Sequence, residues 1–154
     1  MREPVTAYIG LGANLGDAMC AVREAIDAIG SLPSTRVTAR SPLYRTAPVD
    51  AGGPDYINAV IEVTTRLDPL ALLEHLQAIE RDAGRERPYR NAPRTLDLDL
   101  LLYGSAQVGS AALTVPHPRM LQRAFVLVPL ADIAPQRVTP AQLAAVADQR
   151  ITRA

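Results

Sequence analysis

Two aspartates, Asp97 and Asp99, stand two residues apart inside the leucine-rich run "PRTLDLDLLLYG" (93–104). In an extended chain successive side chains alternate between faces, so both carboxylates point the same way. Leu96, Leu98, Leu100 and Leu102 then line the opposite, core-facing side, while Thr95, Leu101 and Tyr103 share the side of the aspartates. A plain solvated face would not continue into a leucine and a tyrosine. Two like charges about 7 Å apart on a half-covered face repel unless something neutralises them. Same-face carboxylates near a strand end suit Mg2+, a hard cation that takes oxygen ligands. A pair of carboxylates can also bridge two such ions in a phosphoryl-transfer site. The competing reading is an ordinary solvent face with a polar alternation.

Arg85, Arg87, Arg90 and Arg94 precede that strand in the proline-marked loop "RERPYRNAPR" (85–94). As a surface salt-bridge patch they would add little stability. As phosphate ligands they would give planar, bidentate grips on a loop able to close over a substrate. Carboxylate-held metal plus arginines is what polyphosphate chemistry needs, cations to offset the ground-state charge and the charge that develops in the transition state. No G-x-x-x-x-G-K-[ST] is present, which excludes a P-loop enzyme, and "GLGANLG" has the wrong spacing for a dinucleotide fingerprint. His117 sits between two prolines in "LTVPHPRM", where a neutral imidazole could donate to a phosphate oxygen. A surface histidine without a role is the alternative there. Arg123 and Phe125, the only phenylalanine, follow closely. Tyr56 and Asn58 share a strand face, an aromatic beside an amide, which suits a flat heterocycle.

The elements that must position these groups follow from periodicity. Val5 to Leu11 predicts a first strand ended by the glycines of "GLGANLGD", and apolar residues at Met19, Val22, Ile26 and Ile29 predict a helix over 15–29. Residues 35–48 predict a second strand running into a loop, and 56–67 a third. Asp68 and Pro69 open a second helix with a stripe of Leu72, Leu76, Ile79 and Ala83. The aspartate strand comes next. Residues 113–135 mix a short strand, a turn and a helical piece, and a last helix begins after Thr139-Pro140. The order β-α-β-β-α-β over 5–103 is the split pattern of ferredoxin-like folds, an α+β sandwich with a mainly antiparallel sheet and helices on one face.

Bulk properties narrow the classes further. The 154 residues predict one domain, 1–154, and 16 basic against 16 acidic side chains argue against nucleic-acid or membrane partners. The single cysteine, Cys20, excludes an internal disulfide and fits a reducing compartment; among Met19, Ala21 and Val22 it reads as a small buried hydrophobe. With no signal-peptide pattern at the start, the expected location is the cytoplasm.

Six segments occur in the order found in one family: "AYIGLGANLGD", "SPLYRTAP", "PDYINAV", "AGRER", "APRTLDLDLLLYG" and "LTVPHPRMLQRAFVLVPL". Together they resemble 6-hydroxymethyl-7,8-dihydropterin pyrophosphokinases of folate biosynthesis over about residues 7–135. The resemblance implies transfer of the pyrophosphoryl group of ATP to the pterin hydroxymethyl oxygen, with release of AMP, two Mg2+ ions and mobile loops. It implies Asp97 and Asp99 as the magnesium ligands, and Arg85 and Arg94 as arginines acting on the phosphates. It implies a pterin sandwiched by Tyr56 and Phe125 and read by Asn58 and by the backbone of Thr46, Ala47, Pro48 and Val49. It implies ATP contacts from Gln77, Glu80, Arg87, Leu100, Thr114, His117 and Arg123. Gln77 and Glu80, three apart on a helix, share one face. The chain departs from the pattern at Asn91, where many members carry tryptophan, at Pro88, Ala112 and Pro118, and in a loop one residue shorter.

The expected partners are therefore ATP and 6-hydroxymethyl-7,8-dihydropterin, acted on by a monomer. Two other classes compete: a regulatory domain that holds MgATP without transfer, and a ferredoxin-like module for single-stranded nucleic acid. The second needs exposed sheet aromatics, and the chain has five tyrosines, one phenylalanine and no tryptophan.

Overall fold

Local signals set the element boundaries. Asp17 accepts the Cys20 N–H at 3.1 Å and opens α1 (Ala18–Gly30), three residues later than the apolar spacing predicts. The Asp68 carboxylate accepts the Ala71 N–H at 2.8 Å and opens α2 (Pro69–Gly84), as its sequence predicts. The remaining strands and helices, in a computed structural model that describes residues 3–14, 16–47, 55–84 and 96–154, follow in chain order. Strand β1 (Val5–Ala13) precedes α1; β2 (Thr35–Arg40), β3 (Tyr44–Thr46) and β4 (Tyr56–Thr65) lie between the two helices. Beyond α2 come β5 (Asp97–Tyr103), β6 (Val108–Gly109), β7 (Thr114–Val115), α3 (Ala124–Ile133), α4 (Pro140–Ala145) and β8 (Ile151–Arg153).

The sheet runs β5-β1-β4-β3-β8, with β2 also on β4, and every described pairing is antiparallel. Strands β2 and β3 are two pieces of the single strand predicted at 35–48. Ser41 and Pro42 break it: proline has no N–H for the ladder, and the Val60 N–H donates to the Ser41 Oγ at 3.0 Å. With β2 and β3 taken as one, β1 and β4 are central and the ferredoxin-like order holds.

Helices cover both faces, not the one face expected. Helices α1 and α2 bury Val22, Ile26, Ile29, Leu72 and Leu76 against Ile9, Leu11, Ile61 and Leu98. Helix α3 buries Val126, Leu127 and Leu130 on the other face, against Tyr8, Val60, Leu101 and Leu102. Its sequence "AFVLVPLADI" is apolar nearly all round, so it needs cover on more than one side.

A bulge in β5 corrects the simple alternation. Tyr8 pairs with Leu102 while Ile9 pairs with Leu100, so Leu101 is an extra residue. Leu101 and Leu102 both reach the α3 side, and Tyr103 crosses to the α1/α2 side, where its hydroxyl donates to the Leu67 carbonyl. Cys20 also differs from expectation. It shares an exposed helical stripe with Arg23, Glu24 and Asp27, and its thiol donates to Glu24 Oε1 at 3.3 Å. The hydrogen bond to Glu24 and that carboxylate's charge push the thiol pKa up.

Candidate active site

On the α3 side of the sheet, cross-strand register aligns residues in rows. Leu102, Tyr8 and Glu62 form one row and Asp99, Gly10 and Val60 the next; Asp97, Gly12, Asn58 and Tyr44 form a third. The two glycines do not end β1, as the sequence suggests; they lie within it and remove side-chain volume in front of the aspartates. Gly12 is tightly bounded, since a Cβ there would stand 2.9 Å from Asn58 Oδ1 and 3.9 Å from a Tyr56 ring carbon. Asn58 is buried and its amide donates to Thr46 Oγ1 at 2.7 Å, which fixes its orientation across β3 and β4. Tyr56, opposite Thr46 in register, stays half-buried.

The carboxylates lie on β5, at one edge of the sheet. Glu80 of α2 accepts the Leu98 N–H at 2.8 Å, which answers an edge-strand donor midway between Asp97 and Asp99. The His117 N–H donates to the Leu101 carbonyl at 2.9 Å, holding the segment after β7 along the same strand. His117 Nε2 then stands 3.9 Å from Asp99 Oδ1, whose side chain is 46% exposed. His117 Nδ1 accepts the Arg119 N–H at 3.2 Å, so in the neutral ring the proton is on Nε2, facing the aspartate. Burial pulls the imidazole pKa down; Asp99 opposes that shift, and Arg123 and Arg119 reinforce it. The ring is thus a neutral donor at neutral pH. Arg123 lies over the Phe125 ring, 5.3 Å from its centroid, at the start of α3.

These contacts bring predicted residues together in three sets: Asp99 with His117, Arg123 with Phe125, and Thr46 with Asn58 and, in register, with Tyr56. Asp97 and Asp99 are both half-exposed on the same face. Gln77 is exposed on α2 and Thr114 on β7, while Ala47 is exposed just past β3. The Leu100 side chain is buried in the α1/α2 core, so a ligand could meet only its backbone. Glu80 is occupied with β5. Pro48, Val49, Arg85, Arg87, Arg94, Pro88, Asn91 and the segments expected to be mobile loops lie outside the described residues. Sequence reasoning passed over Gly12 as a floor residue, and over Gly10 as its neighbour on the same strand face. The signal was present in "YIGLGA", where glycine alternates with Ile9 and Leu11 and therefore belongs to a strand with one bare face.

The donor set fits a hard cation. Among the described residues no group of three or more His, Cys, Asp and Glu is gathered, which argues against a closed zinc-type centre. Mg2+ commonly takes only one or two carboxylates and completes its shell with water and substrate phosphates, which is what Asp97 and Asp99 offer.

Comparison with known proteins gives one result throughout. Residues 8–135 match the family model described as 7,8-dihydro-6-hydroxymethylpterin-pyrophosphokinase (HPPK). The chain is 48% identical over 134 residues to a 2-amino-4-hydroxy-6-hydroxymethyldihydropteridine pyrophosphokinase of Pseudomonas aeruginosa, across 86% of this chain and 83% of that protein. The like-named protein of Haemophilus influenzae is 44% identical over 137 residues, across 88% and 86% of the two chains. In fold, the chain is similar to Plasmodium falciparum HPPK-DHPS crystallised with pteroate, with a TM-score of 0.73 at 12% identity. That alignment covers 99% of this chain and 48% of the other, so this chain spans about half the length of the Plasmodium protein.

Proposed function

This chain belongs to the 7,8-dihydro-6-hydroxymethylpterin-pyrophosphokinase family, and from that premise we propose a division of labour among its residues. The chain is an ATP-dependent pyrophosphokinase of folate biosynthesis, and it moves a pyrophosphoryl group from ATP to the hydroxymethyl oxygen of 6-hydroxymethyl-7,8-dihydropterin. Residues 1–154 act as one domain, as a monomer in the cytoplasm. No described helix is long and apolar enough to cross a membrane.

The observation that carries the site assignment is the row Asp97, Gly12, Asn58. It sets a carboxylate and a buried, oriented amide on either side of a bare backbone position. The pterin lies between Tyr56 and Phe125, with Asn58 and the backbone of Thr46, Ala47, Pro48 and Val49 reading its edge. ATP lies along β5, met by Gln77, Glu80, Arg87, Leu100, Thr114, His117 and Arg123. His117 donates from Nε2 to a phosphate oxygen, and Arg123 adds positive charge beside it. Asp97 and Asp99 would hold two Mg2+ ions, which would supply positive charge to offset that of the phosphates. Arg85 and Arg94 act on the transferred group. The hydroxymethyl oxygen attacks the β-phosphorus in line and gives up its proton to water, the β-phosphorus–oxygen bond breaks, and AMP departs with that oxygen.

Incubation with MgATP and reduced hydroxymethylpterin tests this reading. AMP and a pterin diphosphate should form in equal amounts, and a domain that merely held MgATP would give neither.

A further inference from the structure

The segment after α4 lies beyond residues 8–135, yet it meets the site from behind. Val146 is buried in the α3-side core, and β8 pairs with β3 so that Ile151 stands opposite Thr46. Between these two anchors, Gln149 makes a double contact. Its Nε2 donates to the Gln122 carbonyl at 2.8 Å, and its Oε1 accepts the Ala124 N–H at 2.8 Å. The two bonds flank Arg123 on its N- and C-terminal sides. The N-cap of α3 has no side-chain cap of its own from Arg123, so the Gln149 carbonyl supplies an acceptor for one of the first, unpaired N–H groups of the helix. One amide therefore sets the backbone angle at which Arg123 leaves the chain and at which Phe125 enters the first turn.

We infer that Gln149 is a positioning residue for the Arg123–Phe125 pair, holding the guanidinium toward the ATP phosphates and the ring toward the pterin. The inference rests on the site reading given above. Its chemistry is geometric: both groups are joined to backbone that a free 122–124 segment would let rotate, and a displaced guanidinium loses ground-state contact with ATP. The effect therefore falls on KM more than on kcat.

The test compares three proteins in steady-state kinetics and thermal melts. Gln149→Met keeps the side-chain length and removes both bonds, and it should raise the KM for ATP about three- to tenfold with kcat within about twofold. Gln149→Glu keeps the acceptor for the Ala124 N–H, loses the donor, and should recover part of that loss. Thr139→Ala removes the capping box of α4, in which Thr139 and Gln142 cap each other reciprocally, and it serves as a control for general destabilisation. It should lower Tm without moving either KM. Unchanged KM in Gln149→Met, or an equal rise in Thr139→Ala, overturns the inference; if Gln149→Met does not fold, Gln149→Glu with wild-type KM overturns it. Arg123→Ala separates the two levels. A normal KM for ATP in that variant would overturn the underlying site assignment, whereas a raised one beside an unaffected Gln149→Met overturns only the positioning role.

Discussion

Two rows on the same face of the same three strands, four residues apart along β1, serve opposite ends. In the row of Leu102, Tyr8 and Glu62, large side chains fill the space under the α3 layer and polar atoms are answered within the protein. Tyr8 donates to Glu62 Oε2 at 2.7 Å and Thr38 donates to Oε1 at 2.7 Å. In the row of Asp97, Gly12 and Asn58, the middle residue has no side chain and one flank is a half-exposed carboxylate. The closed row contributes to folding, and the open row leaves room beside a half-exposed carboxylate. The difference teaches that β1 is divided along its length, with Gly10 at the boundary and the Leu101 bulge turning β5 from aspartate to leucine at the same level.

The largest effect should come from the two aspartates, Asp97 in the open row and Asp99 in the Gly10 row beside it. Asp97→Ala or Asp99→Ala, each removing a proposed magnesium ligand, should lower kcat/KM by about 10^3-fold or more. Because both side chains are half-exposed, Tm should change by only a few degrees. AMP release and thermal melting measured on the same preparations check this. Near-normal turnover in Asp97→Ala breaks the comparison at its base, because the open row would then be merely a solvent face; in Asp99→Ala it would remove the Gly10 row from the site.

Much of this division was legible in the sequence. The aspartate pair, the strand carrying Tyr56 and Asn58, the cap at Asp68 and the helix start near Thr139-Pro140 follow from local pattern; that His117 stands beside Asp99 does not. Alternation failed at Leu102 and Tyr103, because a bulge is set by how β5 meets β1 rather than by β5 alone. The second helical layer was missed for a similar reason: α3 has no strong sidedness, and only the partner surface around Tyr8 and Val60 shows where it packs. From sequence alone Gly10 and Gly12 read as strand breakers, since glycine marks turns more often than bare strand faces. Strand β8 is three residues long and is defined by its pairing with β3, which no local signal reveals.

Filling the open row should rank next. The Cβ of Gly12→Ala would stand 2.9 Å from Asn58 Oδ1, so the amide must move and its 2.7 Å bond to Thr46 must lengthen. The KM for the pterin should rise about tenfold, with a smaller change in the KM for ATP. Equal rises for both substrates would show that the glycine serves the whole site rather than its pterin end.

The closed row should answer to pH and not to substrate. Burial, then the hydrogen bond to Glu62 and that carboxylate's charge, push the Tyr8 phenol up to about 12, with Arg137 pulling the other way. In the unfolded chain the same phenol ionises near 10. Below about 10 both states hold the proton and the contribution is complete. Between about 10 and about 12 the unfolded state releases it first, so stability falls as pH rises through that window. Tyr8→Phe should cost about 1 to 2 kcal/mol at neutral pH and flatten that alkaline slope, with both KM values unchanged. Denaturant melts at neutral and alkaline pH measure both effects, and an altered KM would show that the closed row reaches the site.

The smallest effect should fall on the boundary itself. A Cβ at Gly10 would lie 3.5 Å from Leu101 Cδ1, an ordinary van der Waals distance, so Gly10→Ala meets no atom that must move. The substitution also narrows the unfolded ensemble, which favours the folded state by about 0.5 kcal/mol. Gly10→Ala should therefore raise Tm slightly, with both KM values within about twofold of the parent. Gly12 differs because its neighbour is an oriented amide with a hydrogen bond to lose, whereas Gly10 faces a leucine that accepts a methyl. A pterin KM raised as far as in Gly12→Ala would move the boundary one row toward Tyr8 and place Gly10 in the ligand-holding half. An unchanged KM with a higher Tm fixes the division of β1 between Gly10 and Gly12.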